Sequence, residues 1–487
     1  MSLLPSQPPP APAHDPVPDS NFFDCRLTRG EGWILVYTLI SAMALQCEPV
    51  LKSVFAYPLI IAMAILGWLS PFSGMFYIAC AQSLPFPEHA PFNPAQLGVL
   101  TWLVVALLRY RGLRFHGIKH LLVYLPFLLW MELLWDDPIP VFSLKSEYAK
   151  AIMYMVIACQ LINESKGRHL KSLMGLCLGA LMVTNAYWGA ALGLPIQLSD
   201  WGGARQEFTR LGGARADSIM VWPPTLMGAF GIVGIAFSVL TRAPSRQTSV
   251  LKWLACAVFL LSLPPLLGTM SNAAYLGWSL MLGWTLWLMH ILHIRGRLPI
   301  QLARNVVGAL LMFACAMVIC YQTDTLNIRS RMHALKITYA EQSEEFGLAA
   351  SRSLDWQYSI KSIASHPVTG RAFAEDTEEA PPGYLPSMPG EHMGNFFSHN
   401  VFLDIGRQTG LPGAAMLLIF FFYPLVRLWR RRQFDRYMAF MLAHFALTLF
   451  WMVLSFPFYK TFWAFWILAC IAGDPIPPPA RTLRAAS

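Results

Sequence analysis

Charge is what this sequence has least of. Acidic and basic side chains make up 13% of its 487 residues while 55% are hydrophobic, against roughly 25% charged in a soluble globular domain. A water-soluble globular chain is excluded on that balance. The nine cysteines show no CxxC spacing, and most of them (Cys80, Cys159, Cys177, Cys256, Cys315, Cys320, Cys470) lie inside apolar runs. They read as small core hydrophobes, not as a disulfide framework or a thiolate metal site. No cluster of ligands calls for a metal, and no cofactor is implied. The opening Met1–Ser20 lacks both a basic start and an apolar core. It is therefore no cleaved signal, and its prolines make it a disordered tail. Ionisable residues are scarce inside the apolar runs: Glu132 and Asp404 near run ends, and His444 deep within one. An ion-coupled transporter, which needs such residues in its spans, has little to work with here.

What the chain has in abundance is apolar runs of about 15 to 23 residues, near the length that crosses a hydrocarbon core. Gly32–Gln46, Phe55–Leu69, Leu173–Leu194, Ile219–Leu240 and Asn305–Tyr321 are examples. About fourteen such runs are present; Met75–Leu84 and Phe462–Ala472 are short for a span, which leaves about twelve as the alternative. The reading is an all-α polytopic membrane protein of about 12 to 14 transmembrane helices.

The net charge of +9 is not a nucleic-acid footprint. Its basic residues sit in short clusters between apolar runs: Arg109/Arg111/Arg114/Lys119, Lys166/Arg168/Lys171, Arg242/Arg246/Lys252, Arg295/Arg297/Arg304 and Arg427/Arg430/Arg431/Arg432/Arg436. They occupy every second connection, as cytoplasmic loops do. No nucleic-acid partner follows, and membrane lipids do. Alternation then assigns residues 1–31 to a disordered cytoplasmic tail, 32–321 to a transmembrane region, 322–398 to one large periplasmic loop, 399–473 to C-terminal transmembrane helices and 474–487 to a cytoplasmic tail.

The stretch Gln322–Ser398 is far longer than an ordinary connection, so it is either a functional domain or disorder. Within it Arg352, Trp356, Ile360 and Ile363 recur at helical spacing. They predict one helix face, buried against the membrane domain so as to aim Arg352, with Pro367 and Gly370 ending the helix. The segment Glu375–Gly394, with its prolines and glycines, reads as a mobile lid or loop.

A second polar connection, Pro195–Asp217, carries Arg205, Arg210 and Arg215 in the Gly-rich frame "GGARQEFTRLGGARAD". Three cations outside the cytoplasm run against the bias of the other loops. Their planar forks suit phosphate oxygens, and the glycines let backbone approach an anion; contact with phospholipid headgroups is the plainer alternative. At the end of the large loop, "FFSHNVFLDIGRQTGLPG" sets His399 before an apolar helix with Ser398 or Asn400 as N-cap. A helix N-terminus disfavours an imidazolium and leaves a neutral ring able to accept a proton.

The combination "SRSLDWQYSIKSIASHPVTGRAF" and, about thirty residues on, "SHNVFLDIGRQTGLPGAA" resembles the signature of the O-antigen ligase and polymerase superfamily: an Arg, a Trp, an "hPxxG" turn, then "HNxFL…xxxGxxG" entering a membrane helix. The motif covers Arg352–Gly413, and the rest of the chain matches in hydropathy. The resemblance implies a glycosyltransferase of the bacterial inner membrane that works at its periplasmic face. Such an enzyme moves a glycan from undecaprenyl diphosphate to an acceptor hydroxyl, on a lipid A core or a growing glycan. Ligase, repeat-unit polymerase and protein O-glycosyltransferase share that donor chemistry. Carried over residue by residue, the resemblance implies catalytic roles for Arg352, His399 and, from the earlier loop, Arg210. Arg205, Arg215, Trp356 and Asn400 then become substrate-binding residues. Many relatives carry Ser-Arg at a short external turn where this chain has Ser271-Asn272.

Overall fold

The computed structural model describes residues 24–47, 56–81, 117–134, 144–165, 167–191, 222–240, 246–268, 348–371, 398, 400–430 and 460–474, with isolated helical positions in 97–108, 277–322 and 440–448. All the regular structure among them is helical. In chain order the helices are α1 (Arg29–Cys47), α2 (Ala56–Leu69), α3 (Pro71–Ala81), α4 (Leu125–Leu134), α5 (Leu144–Glu164), α6 (His169–Ala191), α7 (Trp222–Leu240), α8 (Arg246–Leu261), α9 (Leu263–Gly268), α10 (Leu348–Ser365), α11 (Val401–Arg430) and α12 (Lys460–Ala472). A 3-10 turn, Ile118–Val123, leads into α4.

The two runs that are short for a span form the centre. All of α3 from Phe72 to Ala81 is buried, and so is α12 from Phe462 to Ala472. Helix α6 reaches α3 through Gly175 and Gly179, one turn apart. A Cβ at 175 would stand 2.5 Å from the Phe72 carbonyl oxygen, and one at 179 would stand 2.7 Å from that of Phe76. Small residues at this spacing let helix backbones touch, which is how helices associate where no water drives them together.

The outward faces are apolar. Trp33 and Ile40 of α1, Leu129 and Leu133 of α4, Val250 and Trp253 of α8, and Ile419 of α11 are all exposed. In water, apolar cover on this scale is a liability; against lipid it is the ordinary surface. Among the described residues one helix, Val401–Leu428, is long and apolar enough to cross a membrane, and the other apolar stretches are shorter, at 10–17 residues.

Helix α11 is in fact two segments. Gly410 interrupts it with φ 71° and ψ −177°, a backbone region essentially restricted to glycine. Residues 411–430 beyond the break extend about 30 Å at 1.5 Å per residue, the thickness of a hydrocarbon core. Pro424 in that segment has no N–H to give and so frees the Phe420 carbonyl four residues before it. Trp466 Nε1 of α12 donates to the Phe420 carbonyl at 3.0 Å, and His444 Nε2 donates to that of Phe421 at 2.8 Å. His444 thus spends Nε2 on the carbonyl next to the one that Pro424 frees.

Described structure also lies ahead of the first apolar run. The tail assigned to residues 1–31 is described from Asp24, where Thr28 and Glu31 form a capping box: the Glu31 amide donates to Thr28 Oγ1 (3.2 Å) and the Thr28 amide to Glu31 Oε2 (2.8 Å). Glu31 also binds Lys171 Nζ at 2.6 Å and accepts from Ser70 Oγ at 2.9 Å. At the other terminus Asp474 gathers Arg427, His120 Nε2 (3.0 Å) and Lys119 Nζ (3.4 Å). In both clusters the partners come from segments that the positive-charge bias assigns to one side.

Candidate functional site

Helix α10 ends at Ser365 and runs into the turn His366–Arg371, as Pro367 and Gly370 predict. This turn docks on the break in α11 through the backbone. The Leu411 amide donates to the Pro367 carbonyl and the Arg371 amide to the Arg407 carbonyl, both at 2.8 Å. The carbonyl that Leu411 would have used in an unbroken helix is thus taken by the loop, and the loop supplies one in return. Neither surface tolerates a side chain here. A Cβ at Gly370 (φ 62°) would lie 2.5 Å from Gln408 C and Thr409 N, and one at Gly410 would lie 2.5 Å from the Val368 carbonyl carbon. The glycines of "HPVTG" and "GRQTGLPG" are the two halves of one joint. Trp130 of α4 completes it, its Nε1 donating at 2.8 Å to the Thr409 carbonyl that the break leaves open.

The face that α10 turns inward is not the one that the apolar spacing predicts. Ser359 and Ser362 are buried, whereas Trp356 is 41% and Ile360 55% exposed. Ile363 alone of the apolar set packs inward, on Gly406. The physical reason is fit: Ile363 fills the room that Gly406 of α11 leaves, and small hydroxyl side chains take the rest of the buried face. The backbone of Arg352 lies in α10 one turn before Trp356. Its side chain, all of His399, and Arg205, Arg210 and Arg215 lie outside the described residues, as do Glu375–Gly394 and Ser271-Asn272.

The residues flanking His399 are described, and they are tightly held. Asn400 is the N-cap of α11, its Oδ1 accepting from the amides of Phe402 (3.1 Å) and Leu403 (3.3 Å). Ser398, the other cap candidate, instead donates from Oγ to the Asn400 carbonyl at 3.1 Å. Trp356 Nε1 donates to the Ser398 carbonyl at 2.8 Å, and the Ser398 amide donates to Asp404 Oδ1 at 2.7 Å. Trp356 Nε1 and Asn400 Oδ1 are thus engaged within the protein. Asp404 went unnoticed in the sequence as a site residue; a carboxylate in the first turn of an apolar helix, five residues past His399, is the signal that marks it.

The structure thus ties two segments 42 residues apart, the middle of α10 and the entry to α11. Arg371 adds a cation over the Tyr358 ring at 5.6 Å on the same turn. A search of the curated proteins finds no match to the chain. Residues 256–418 match the family model described as O-antigen ligase, a stretch that contains the whole of Arg352–Gly413. Over those residues the chain is therefore similar to the O-antigen ligase family, in keeping with the resemblance that its motifs carry.

Proposed function

We propose that this chain is an O-antigen ligase-like glycosyltransferase of the bacterial inner membrane, with about 12 to 14 spans. It moves a glycan from undecaprenyl diphosphate to an acceptor hydroxyl at the periplasmic face. The bond from Trp356 Nε1 to the Ser398 carbonyl carries the reading, because it brings the helix that holds Arg352 to the residue before His399. The exposed apolar belts and the two one-sided charge clusters support the membrane topology.

The chemistry asks little covalent help of the protein. Diphosphate is already a competent leaving group, and what its departure needs is stabilisation of the charge that develops on its oxygens. Arg352 and Arg210 supply planar, permanently charged forks for that purpose, with Arg205 and Arg215 beside the second. Preorganised donors of this kind are typically worth about a hundred- to a thousandfold each. His399 takes the proton of the acceptor hydroxyl or orients it for attack, and general-base help is worth about a hundred- to ten-thousandfold. In-line attack inverts the anomeric centre. No step in this scheme uses a metal.

The test is glycan transfer in membranes that contain equal amounts of each variant and a lipid-diphosphate donor. His399→Ala abolishes transfer. Arg352→Lys loses about a hundredfold, since a point charge does not reproduce the fork. Arg210→Ala is weaker in donor use than Arg205→Ala or Arg215→Ala. Full activity in both His399→Ala and Arg352→Lys defeats the proposal. Equal losses in the three loop arginine variants favour headgroup binding for that loop. The product, whether capped lipopolysaccharide or a lengthened chain, separates ligase from polymerase.

A further inference from the structure

We propose that Trp356 and Asp404 are positioning residues that set the direction in which His399 faces the acceptor; this rests on the reading of His399 as the group that handles the acceptor hydroxyl. A side chain leaves its Cα in a direction set by the two peptide planes on either side. The plane that enters residue 399 contains the Ser398 carbonyl, which Trp356 Nε1 holds at 2.8 Å. The plane before it contains the Ser398 amide, which Asp404 Oδ1 holds at 2.7 Å. Beyond residue 399, the Asn400 carbonyl accepts from both Ser398 Oγ at 3.1 Å and the Asp404 amide at 2.9 Å. The plane that enters position 399 is thus held directly, and Asp404 ties down the residue before it with its carboxylate and the residue after it with its amide.

Helix capping alone does not call for this arrangement. Asn400 already satisfies two of the first amides of α11 with a neutral side chain. Asp404 is a carboxylate only 4% exposed, and burying a charge is costly unless its bonds are good. It sits near the positive end of the helix, where a carboxylate is favoured, and it spends Oδ1 on a peptide of the segment that carries the candidate base. Trp356 is likewise a large aromatic that leaves much of its ring exposed while its one donor is engaged. In both cases a functional group is used on backbone geometry next to position 399, and a reacting group misplaced by about 1 Å loses about a hundredfold in rate.

The experiment uses the full chain in membranes, with a lipid-diphosphate glycan donor, and separates kcat from KM. Asp404→Ala lowers kcat ten- to a hundredfold while the donor KM stays within threefold, and Asp404→Asn, which keeps an Oδ1 acceptor for the Ser398 amide, returns kcat to within threefold of the parent. Trp356→Phe, which keeps the ring and removes the donor, lowers kcat about tenfold. Thermal shift in detergent measures the folded fraction of each variant. Losses that merely follow the folded fraction overturn the inference. So does a kcat unchanged in Asp404→Ala and Trp356→Phe while His399→Ala is inactive, and so does an Asp404→Asn as impaired as Asp404→Ala. An active His399→Ala removes the reading of the site and this inference together, and is told apart from the other failures by that variant alone.

Discussion

The two ends of α11 are held by opposite means. At the motif end, Ser398 to Pro412, the partners are peptide groups and neutral donors: the turn His366–Arg371, Trp130 and Trp356. At the basic end the partners are charges and a phenol. Asp474 is bound by Arg427, His120 and Lys119, while Arg427 also donates to the Tyr423 hydroxyl at 3.1 Å and His120 Nδ1 lies 3.0 Å from that hydroxyl. Peptide-to-peptide contact fixes geometry to tenths of an ångström and admits no side chain. A knot of long charged side chains is strong but leaves its backbone free to shift. A site needs the first kind of holding and an anchor needs the second, which favours the motif end for the chemistry proposed above.

The largest expected effect breaks the motif end. Gly410→Ala puts a Cβ against the Val368 carbonyl in a backbone region that only glycine adopts readily. It costs about 4 kcal/mol or more, in the range of the severe single substitutions, and transfer activity is lost with the fold; thermal unfolding in detergent together with the transfer assay reads both.

Next, Asp474→Ala breaks the basic end. It strands Arg427 in a largely buried place, and removing one member of such a cluster costs about 3 kcal/mol. The comparison predicts a lower melting temperature with transfer per folded molecule within twofold of the parent. A loss of kcat per folded molecule equal to that of the motif-end variants would erase the distinction drawn between the two ends.

Smaller again is Trp466→Phe, which uncovers the Phe420 carbonyl freed by Pro424 and costs about 1–2 kcal/mol; a melting temperature unchanged in Trp466→Phe would show that the carbonyl finds another partner.

The smallest effect is pH-dependent. Burial pushes the Glu31 carboxyl up, but the bonds from Lys171, the Thr28 amide and Ser70 together outweigh it, and its pKa lies below the ordinary 4.5. A depressed folded-state pKa contributes stability that is complete above the unfolded value and lost as pH falls through the folded one. The melting-temperature difference between the parent and Glu31→Gln is therefore constant above about pH 5 and closes in acid; a difference that grows in acid contradicts the sign.

Much of the fold and part of the site were legible in the residues. The run Gly32–Gln46 lies within α1, Phe55–Leu69 matches α2, and Pro367 with Gly370 ends α10 where the turn chemistry says it must. Asn400 was one of two cap candidates, and Thr28–Glu31 is a readable capping box. The inward face of α10 was not readable. Apolar spacing chose Trp356 and Ile360, and the structure chose Ser359 and Ser362, because the partner surface at Gly406 sets the room available and no spacing rule carries that information. His444, readable as a candidate proton carrier, spends Nε2 on the Phe421 carbonyl of α11, a partner that no local pattern shows.

The sequence by itself determined that this chain is helical, apolar on a membrane scale, and marked by a motif from Arg352 to Gly413. Those properties are local: hydropathy, helix start and stop chemistry, and the order of a few residues. Tertiary structure alone decided that the "HPVTG" turn and the Gly410 break are one joint, that α3 and α12 are the buried centre, and that Trp356 and Asp404 grip Ser398. Each of these is an exchange of backbone hydrogen bonds or a fit of volumes between segments far apart in the chain, and it exists once both partners are in place.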